Sequence, residues 1–180
     1  MYGLIAVFDE ATEKRIKEIW CDLKEEGISS YAYEVENRIP HITLASYDNL
    51  DPLDIINQMA TFYSEKQVID FTFSTIGSFF NSGALFFQPT LTDELLRLHT
   101  EHHHYFREFQ QSSNSLYLPS HWIPHCTIAN RLSQEKLLEA FDYCSRNNQS
   151  INGKIKEIAL IKIVDKRNAP IIYSVKLTDK

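Results

Sequence analysis

Two copies of one heptapeptide carry the residues of this sequence that could do acid–base chemistry. IPHITLA at residues 39–45 recurs as IPHCTIA at residues 123–129, with five of the seven positions identical. A lone His-x-Thr carries little information in a chain with seven histidines. Two copies with matched flanks, 84 residues apart, instead indicate an internal duplication.

Each heptapeptide has the pattern of a β-strand that presents one polar face. On a strand, residues two apart point to the same side and lie roughly 6–7 Å apart. We therefore expect His41, Thr43 and Ala45 to share one face, with a shallow floor at the alanine. The proline before the histidine lacks a backbone donor and suits the start of a strand. The second copy repeats the pattern with His125, Thr127 and Ala129.

Two imidazoles and two hydroxyls around one cleft would suit the cleavage of a phosphodiester. One imidazole can deprotonate water or a ribose hydroxyl while the other protonates the departing oxygen. Histidine fits both roles because its ordinary pKa is about 6.5. The threonine hydroxyls can donate to the non-bridging phosphate oxygens and stabilise charge that builds in the transition state. This chemistry calls for no metal and no cofactor.

Alternating strands and helices would position the motifs. Apolar and alternating runs predict strands at residues 4–8, 31–35, 39–46, 68–73, 84–87, 122–129, 155–164 and 171–177. An apolar stripe from Ile16 to Leu23 predicts one helix, and Asp51, Thr92 and Ser133 are N-cap candidates for three more. The order of elements predicts an α+β fold with two similar lobes, antiparallel sheets around a central cleft and helices outside.

The composition indicates one folded unit and narrows its partners. The chain has 180 residues, 43% of them hydrophobic, and no run of low complexity or Pro/Gly/Ser-rich linker. Its apolar runs are shorter than the roughly 18 residues of a membrane span, and no secretion signal is recognisable, so we expect a cytoplasmic protein. The net charge of −6 argues against binding of a long nucleic acid, although it does not exclude binding of a short or terminal phosphate group. We expect no membrane contact and a monomer.

The repeated motif resembles the mark of the two-histidine (2H) phosphoesterase superfamily, a pair of His-x-Thr/Ser motifs on the strands of a bilobal α+β fold. That superfamily includes bacterial 2′-5′ RNA ligases and cyclic phosphodiesterases that act on 2′,3′-cyclic ends. The resemblance implies a single domain over residues 1–180, with His41 and Thr43 in one lobe and His125 and Thr127 in the other. It also implies that the two histidines are catalytic and that the two threonines bind the substrate phosphate.

Three activities are compatible with such a site. The first is opening of a 2′,3′-cyclic or 2′,5′-linked phosphodiester of a small nucleotide or RNA end. The second is 2′-5′ RNA ligase activity, and the third is binding of a small phosphorylated ligand without turnover. Hydrolysis of another kind of ester on the same fold is a further alternative.

Several other residues are candidates for contact with the substrate or with a metal. Aromatic side chains near the motifs could stack on a base, and an arginine beyond the second motif could meet a phosphate; these candidates are Tyr33, Phe79, Trp122 and Arg131. Each is also an ordinary core or surface residue in its local context. His99 and His103 have helical i, i+4 spacing, but no acidic or cysteine partner completes a familiar metal site. Cys126 would enter the face opposite the imidazoles, which argues against a nucleophilic role.

Overall fold

The computed structural model of the protein describes residues 1–179, apart from the side chains of residues 111 and 112. Strands and helices alternate in the order β1 (Tyr2–Phe8), α1 (Glu10–Glu25), β2 (His41–Tyr47), α2 (Pro52–Tyr63), β3 (Ile69–Gly77), β4 (Leu85–Pro89), α3 (Asp93–Tyr105), β5 (Cys126–Ala129), α4 (Gln134–Asn147), β6 (Ile151–Lys162) and β7 (Ile171–Lys176). Short 3-10 helices lie at Tyr31–Tyr33, Arg107–Ser112 and Ser115–Tyr117. The α+β class is confirmed.

The helices begin where polar side chains satisfy their free backbone donors. The side chains of Asp51, Thr92 and Ser133 accept hydrogen bonds from the first turns of α2, α3 and α4, as expected from the sequence. Asp9 does the same for α1, which buries Ile16 and its stripe against the sheet. Each cap thereby fixes where its helix starts.

Within the described residues, the seven strands form one antiparallel sheet. Its order is β2-β1-β6-β3-β4-β5, and β7 pairs with β6 off this path. The two motif strands, β2 and β5, therefore lie at opposite ends of the strand order and do not pair with each other. Each pairs instead with a strand close to it in its own half of the chain, β2 with β1 and β5 with β4, although β2 and β5 contact each other in space.

The same irregularity interrupts both motif strands. In β2, Ile5 pairs with Thr43 and Leu4 with Ala45, so Leu44 is an extra residue. A bulge of this kind shifts every later side chain to the opposite face. Ala45 is fully buried in the core and does not share the face of Thr43.

In β5, the register passes from Phe86 opposite Thr127 to Leu85 opposite Ala129, so Ile128 is the extra residue. Ala129 is fully buried in the core like its counterpart. The expected shallow alanine floor is therefore wrong in both copies, because strict alternation ends at the bulge.

One predicted strand and one predicted strand boundary are also wrong. Residues 31–35 contain a 3-10 helix, because the Tyr31 N–H donates to Ser29 Oγ at 3.3 Å and the Tyr33 N–H to the Ser30 carbonyl at 2.9 Å. Local turns thus use the donors that a strand would need. β5 begins only at Cys126, because the Trp122 N–H closes a turn onto the Leu118 carbonyl at 3.1 Å.

Within residues 1–179, no helix combines the length and the apolar character needed to span a bilayer.

Candidate active site

The two motif histidines and the two motif threonines line one small pocket. The pocket encloses about 20 Å³ and is bounded by Trp20, Tyr31, Ile39, Pro40, His41, Thr43, His125 and Thr127. The ends of the sheet thus meet in space although they are not neighbours in it. A direct link between the halves supports this approach, since Trp122 Nε1 donates to the Thr43 carbonyl at 2.9 Å.

Both imidazoles are anchored in the same way. His41 Nδ1 lies 2.8 Å from the Ile39 carbonyl, and His125 Nδ1 lies 2.8 Å from the Ile123 carbonyl. Because a carbonyl can only accept, each Nδ1 carries the proton. Each neutral ring therefore has an unprotonated Nε2 as its second nitrogen, which is the form that a general base needs.

The surroundings keep both imidazoles neutral. The pKa of His41 is lowered to about 4, mainly by burial and to a smaller extent by the nearby Arg38 guanidinium and His125, while the bond to the Ile39 carbonyl acts in the opposite direction. Burial also lowers the pKa of His125, again against the effect of its bond to the Ile123 carbonyl. An imidazolium in this pocket thus needs an anion beside it.

Tyrosines from outside the motifs lie crosswise beside the threonines. The Tyr31 phenol, ten residues before His41, interacts with Thr127 of the second motif, and this interaction lowers the pKa of Tyr31 against the larger effect of burial. The Tyr117 phenol, eight residues before the second histidine, interacts with Thr43 of the first motif, which lowers the pKa of Tyr117 against burial in the same way. Each threonine therefore has a tyrosine from the other half of the chain beside it.

Aromatic rings form a wall beside His125. Its ring centroid lies 5.0 Å from that of Phe79, edge-on, and 5.1 Å from that of Phe86. Phe86 is buried and Phe79 is half-buried. The rings restrict the imidazole to the rotamer that its bond to the Ile123 carbonyl also requires, and they contribute to the desolvation that lowers its pKa.

A larger groove opens beside the pocket. It encloses about 680 Å³, and its walls carry several isoleucines as well as Arg38 and Lys166. The residues common to the groove and the pocket are Tyr31, Ile39, His41 and Thr43. A phosphate held between the imidazoles would therefore have its attached groups directed along this groove.

The four suggested substrate contacts lie in different environments. Phe79 contacts His125, as described above. Trp122 is half-buried and stacks on His99 with ring centroids 3.8 Å apart, so one of its faces is covered. Tyr33 is exposed under the ammonium of Lys24, and Arg131 is exposed and paired with Glu34. Neither Tyr33 nor Arg131 lines the pocket or the adjoining groove.

The histidines of α3 hold the fold around the first motif. His99 Nε2 donates to the Tyr117 carbonyl at 2.8 Å, and His103 Nε2 donates to the Leu44 carbonyl at 3.3 Å. Buried His102 lies between the hydroxyls of Tyr47 and Tyr63, each 2.8 Å from one ring nitrogen. Among the residues that the structure describes, no three His, Cys, Asp or Glu side chains are grouped so that they could hold a metal ion.

The Cys126 thiol is buried in the core, as its place on the strand predicts, and burial raises its pKa to about 12. A thiol in this state is not a nucleophile at neutral pH.

Sequence reasoning missed Tyr31, Tyr117 and Arg38. The tyrosines were hidden because their partners lie in the other half of the chain. Arg38 stands three residues before His41, and this closeness to the motif is the signal that could have identified it.

Comparison with known proteins places the chain among similar folds. The sequence model described as 2′-5′ RNA ligase superfamily matches residues 8–167. No curated protein matches the chain. LigT from E. coli in complex with 3′-AMP is similar in structure with a TM-score of 0.63 and 13% identity, over 98% of this chain and 97% of that chain. TT0787 of Thermus thermophilus has a TM-score of 0.61 and 13% identity, over 98% and 97% of the two chains.

LigT is also known in complex with NADP+, and that structure has a TM-score of 0.61 and 13% identity to this chain, over 98% of this chain and 96% of LigT. At such identity these likenesses establish the fold.

Proposed function

Since the chain belongs to the 2′-5′ RNA ligase superfamily, we propose that it is a phosphodiesterase that needs no metal. Its substrate is a 2′,3′-cyclic or 2′,5′-linked phosphodiester of a small nucleotide or RNA end. The observation that carries this proposal is the pair of imidazoles in one pocket, each with Nδ1 bonded to a carbonyl and Nε2 left for chemistry. We also propose that residues 1–180 form one domain of two pseudo-symmetric lobes, which the matching bulges in β2 and β5 support.

On a 2′,3′-cyclic phosphate, the reaction is an in-line displacement at phosphorus. One imidazole takes a proton from water at Nε2 while the water oxygen forms a bond to phosphorus. The bond from phosphorus to one ribose oxygen breaks, and the second imidazole protonates that oxygen. The products are a phosphomonoester and a free ribose hydroxyl. Thr43 and Thr127 donate to the non-bridging oxygens throughout.

A small substrate is favoured over a long one. The chain carries a net charge of −6, which opposes the many phosphate contacts that a long nucleic acid would make. The groove of about 680 Å³ is of a size that suits a single small ligand. LigT, which has the same fold, binds 3′-AMP and NADP+, and this supports a nucleotide ligand for the present chain.

The test is to replace each imidazole and measure turnover of nucleoside 2′,3′-cyclic phosphates. His41→Ala and His125→Ala should each lower kcat by on the order of 10²–10⁴, about 3–5 kcal/mol of barrier. His104→Gln is the matched control, because His104 is exposed on α3 away from the pocket. Thermal unfolding must show that both alanine variants remain folded. Wild-type rates in both of them would contradict the assignment.

Ligation is the second candidate function. Both imidazoles have the same anchor, so either could act as acid or base, and the reverse reaction uses the same groups. Joining of a 2′,3′-cyclic end to a 5′-hydroxyl oligonucleotide would identify it. Tight binding of nucleotides by wild-type protein without any product over hours would instead identify a non-catalytic binder.

A further inference from the structure

Arg38 is a half-buried cation without an acidic partner among the residues that the structure describes. Its Nε is fully buried without a hydrogen-bond partner, and its guanidinium carbon lies 3.9 Å from the centre of the Tyr31 ring. Among residues 1–179, the arginines that form salt bridges are Arg15, Arg131 and Arg146, and Arg38 is not one of them. A partly buried charge is normally paired, and because Arg38 lines the groove, the rest of its guanidinium is a candidate to bind an anion that enters there.

Arg38 lies beside the catalytic pocket and not in it. It lines the large groove, whereas the pocket that contains both imidazoles does not include it. It precedes His41 by three residues, a separation of at most about 10 Å along the chain. It also lies close enough to lower the pKa of His41. Its charge is therefore available to a group attached to the phosphate that the imidazoles hold.

The stacking on Tyr31 fixes the direction of the guanidinium. Tyr31 is itself buried and packs edge-on against Trp20, so the ring under Arg38 cannot move freely. A planar guanidinium held in this way presents parallel N–H donors, which match the oxygens of a phosphate. The other charged residues of the groove are Glu36, Asp165 and Lys166. All three are exposed, so solvent and salt screen them more than Arg38.

We propose that Arg38 forms a subsite for a second phosphate, so that the preferred substrates carry a phosphomonoester in addition to the phosphodiester at the two imidazoles. This inference rests on the proposed function for the position of the first phosphate. It goes beyond that function by selecting, among small nucleotides, those with a terminal phosphate on the groove side.

The first experiment compares two substrates in steady-state kinetics. These are adenosine 2′,3′-cyclic phosphate and the same compound with a 5′-phosphate. Wild-type kcat/KM should be about 10- to 100-fold higher for the phosphorylated one, the range of a charge-assisted contact. Arg38→Gln should reduce this preference to near unity. Because the Arg38 guanidinium also lowers the pKa of His41, both substrates are compared at the same pH, so that this effect is common to them and cancels in the ratio. Arg97→Gln, which removes an exposed arginine on α3, should retain the preference.

An equal loss on both substrates in Arg38→Gln would mean that Arg38 serves the scissile phosphate, and the second subsite would be wrong. Equal kcat/KM of the wild-type protein on the two substrates would overturn the proposal without any variant. This comparison uses only the wild-type protein, so it tests the proposal even if Arg38→Gln does not fold.

A binding measurement separates this proposal from the proposed function. Calorimetry should show that wild-type protein binds adenosine 2′,5′-bisphosphate about 10- to 100-fold more tightly than adenosine 2′-monophosphate. Arg38→Gln should lose this difference. If the protein turns over no substrate but keeps the difference, the phosphodiesterase assignment fails and the subsite stands. If it turns over cyclic phosphates and binds both ligands equally, the subsite fails and the enzyme assignment stands.

Discussion

Binding of a phosphodiester should move the pH dependence of the reaction towards higher pH, because the anion restores the basicity that burial removes from the imidazoles. Burial lowers the pKa of His41 from 6.5 to about 4, which corresponds to about 3.4 kcal/mol against its protonated form. A unit negative charge about 4 Å away contributes about 4 kcal/mol at an effective dielectric constant near 20. The two effects nearly cancel, so the occupied pocket can hold an imidazolium at neutral pH.

The two kinetic parameters should therefore have different optima. The profile of kcat/KM reports the free enzyme and that of kcat reports the complex. Both histidines have lowered pKa values in the free protein. As the pH rises through them, the proton that the general acid must donate is lost. We expect kcat/KM to be highest between about pH 4 and 6.5, and the optimum of kcat to lie at least about one pH unit higher.

The assay is initial-rate hydrolysis of a nucleoside 2′,3′-cyclic phosphate from pH 4 to 9 at constant ionic strength. A diester is suitable because it does not titrate in this range. His104→Gln should reproduce the wild-type profiles, since this imidazole is exposed on α3. A kcat/KM optimum above pH 7.5, or coincident optima for the two parameters, would refute the reasoning.

Three further results are expected. Thr43→Val and Thr127→Val should each lower kcat for the same substrate about 10- to 100-fold, because each removes a donor to the phosphate. An unchanged kcat would show that these hydroxyls do not stabilise the transition state. Cys126→Ala should keep kcat within about 3-fold, because the thiol is in the core, while thermal unfolding shows a loss of about 1–2 kcal/mol. The free energy of unfolding should decrease as the pH is lowered from about 6.5, because burial lowers the folded-state pKa values of His99 and His102 and the unfolded chain therefore binds more protons. These two residues together contribute a decrease of up to about 2.7 kcal/mol per pH unit. Chemical denaturation at pH 7.5 and 5 tests this sign.

Local patterns predicted those parts of the fold that depend on neighbours in the chain. Asp51, Thr92 and Ser133 cap their helices because the bond from a cap reaches only two or three residues ahead. The 3-10 helix at Tyr31–Tyr33 was not predicted, because the Ser29 hydroxyl and the Ser30 carbonyl accept hydrogen bonds from the backbone donors that strand pairing would use. An apolar pattern in the sequence does not reveal these local bonds.

The order of strands lay outside any local pattern. The repeated motif indicated a shared site, but not that β2 and β5 end the sheet on opposite sides and meet across a pocket. Strand order depends on which strands pair with each other, and this pairing depends on contacts throughout the sheet.

The sequence by itself determined which chemical groups are present, that they occur twice, and that His41 and Thr43 share a face within one short stretch. Covalent geometry dictates these features, because successive side chains of a strand alternate whatever surrounds them. Tertiary structure decided the rest: the bulge that turns Ala45 into the core, the burial that lowers the pKa of His41, and the burial of the Arg38 Nε without a hydrogen-bond partner among the described residues. Register, desolvation and the lack of a partner depend on residues far away in the chain, so a short stretch of sequence cannot predict them.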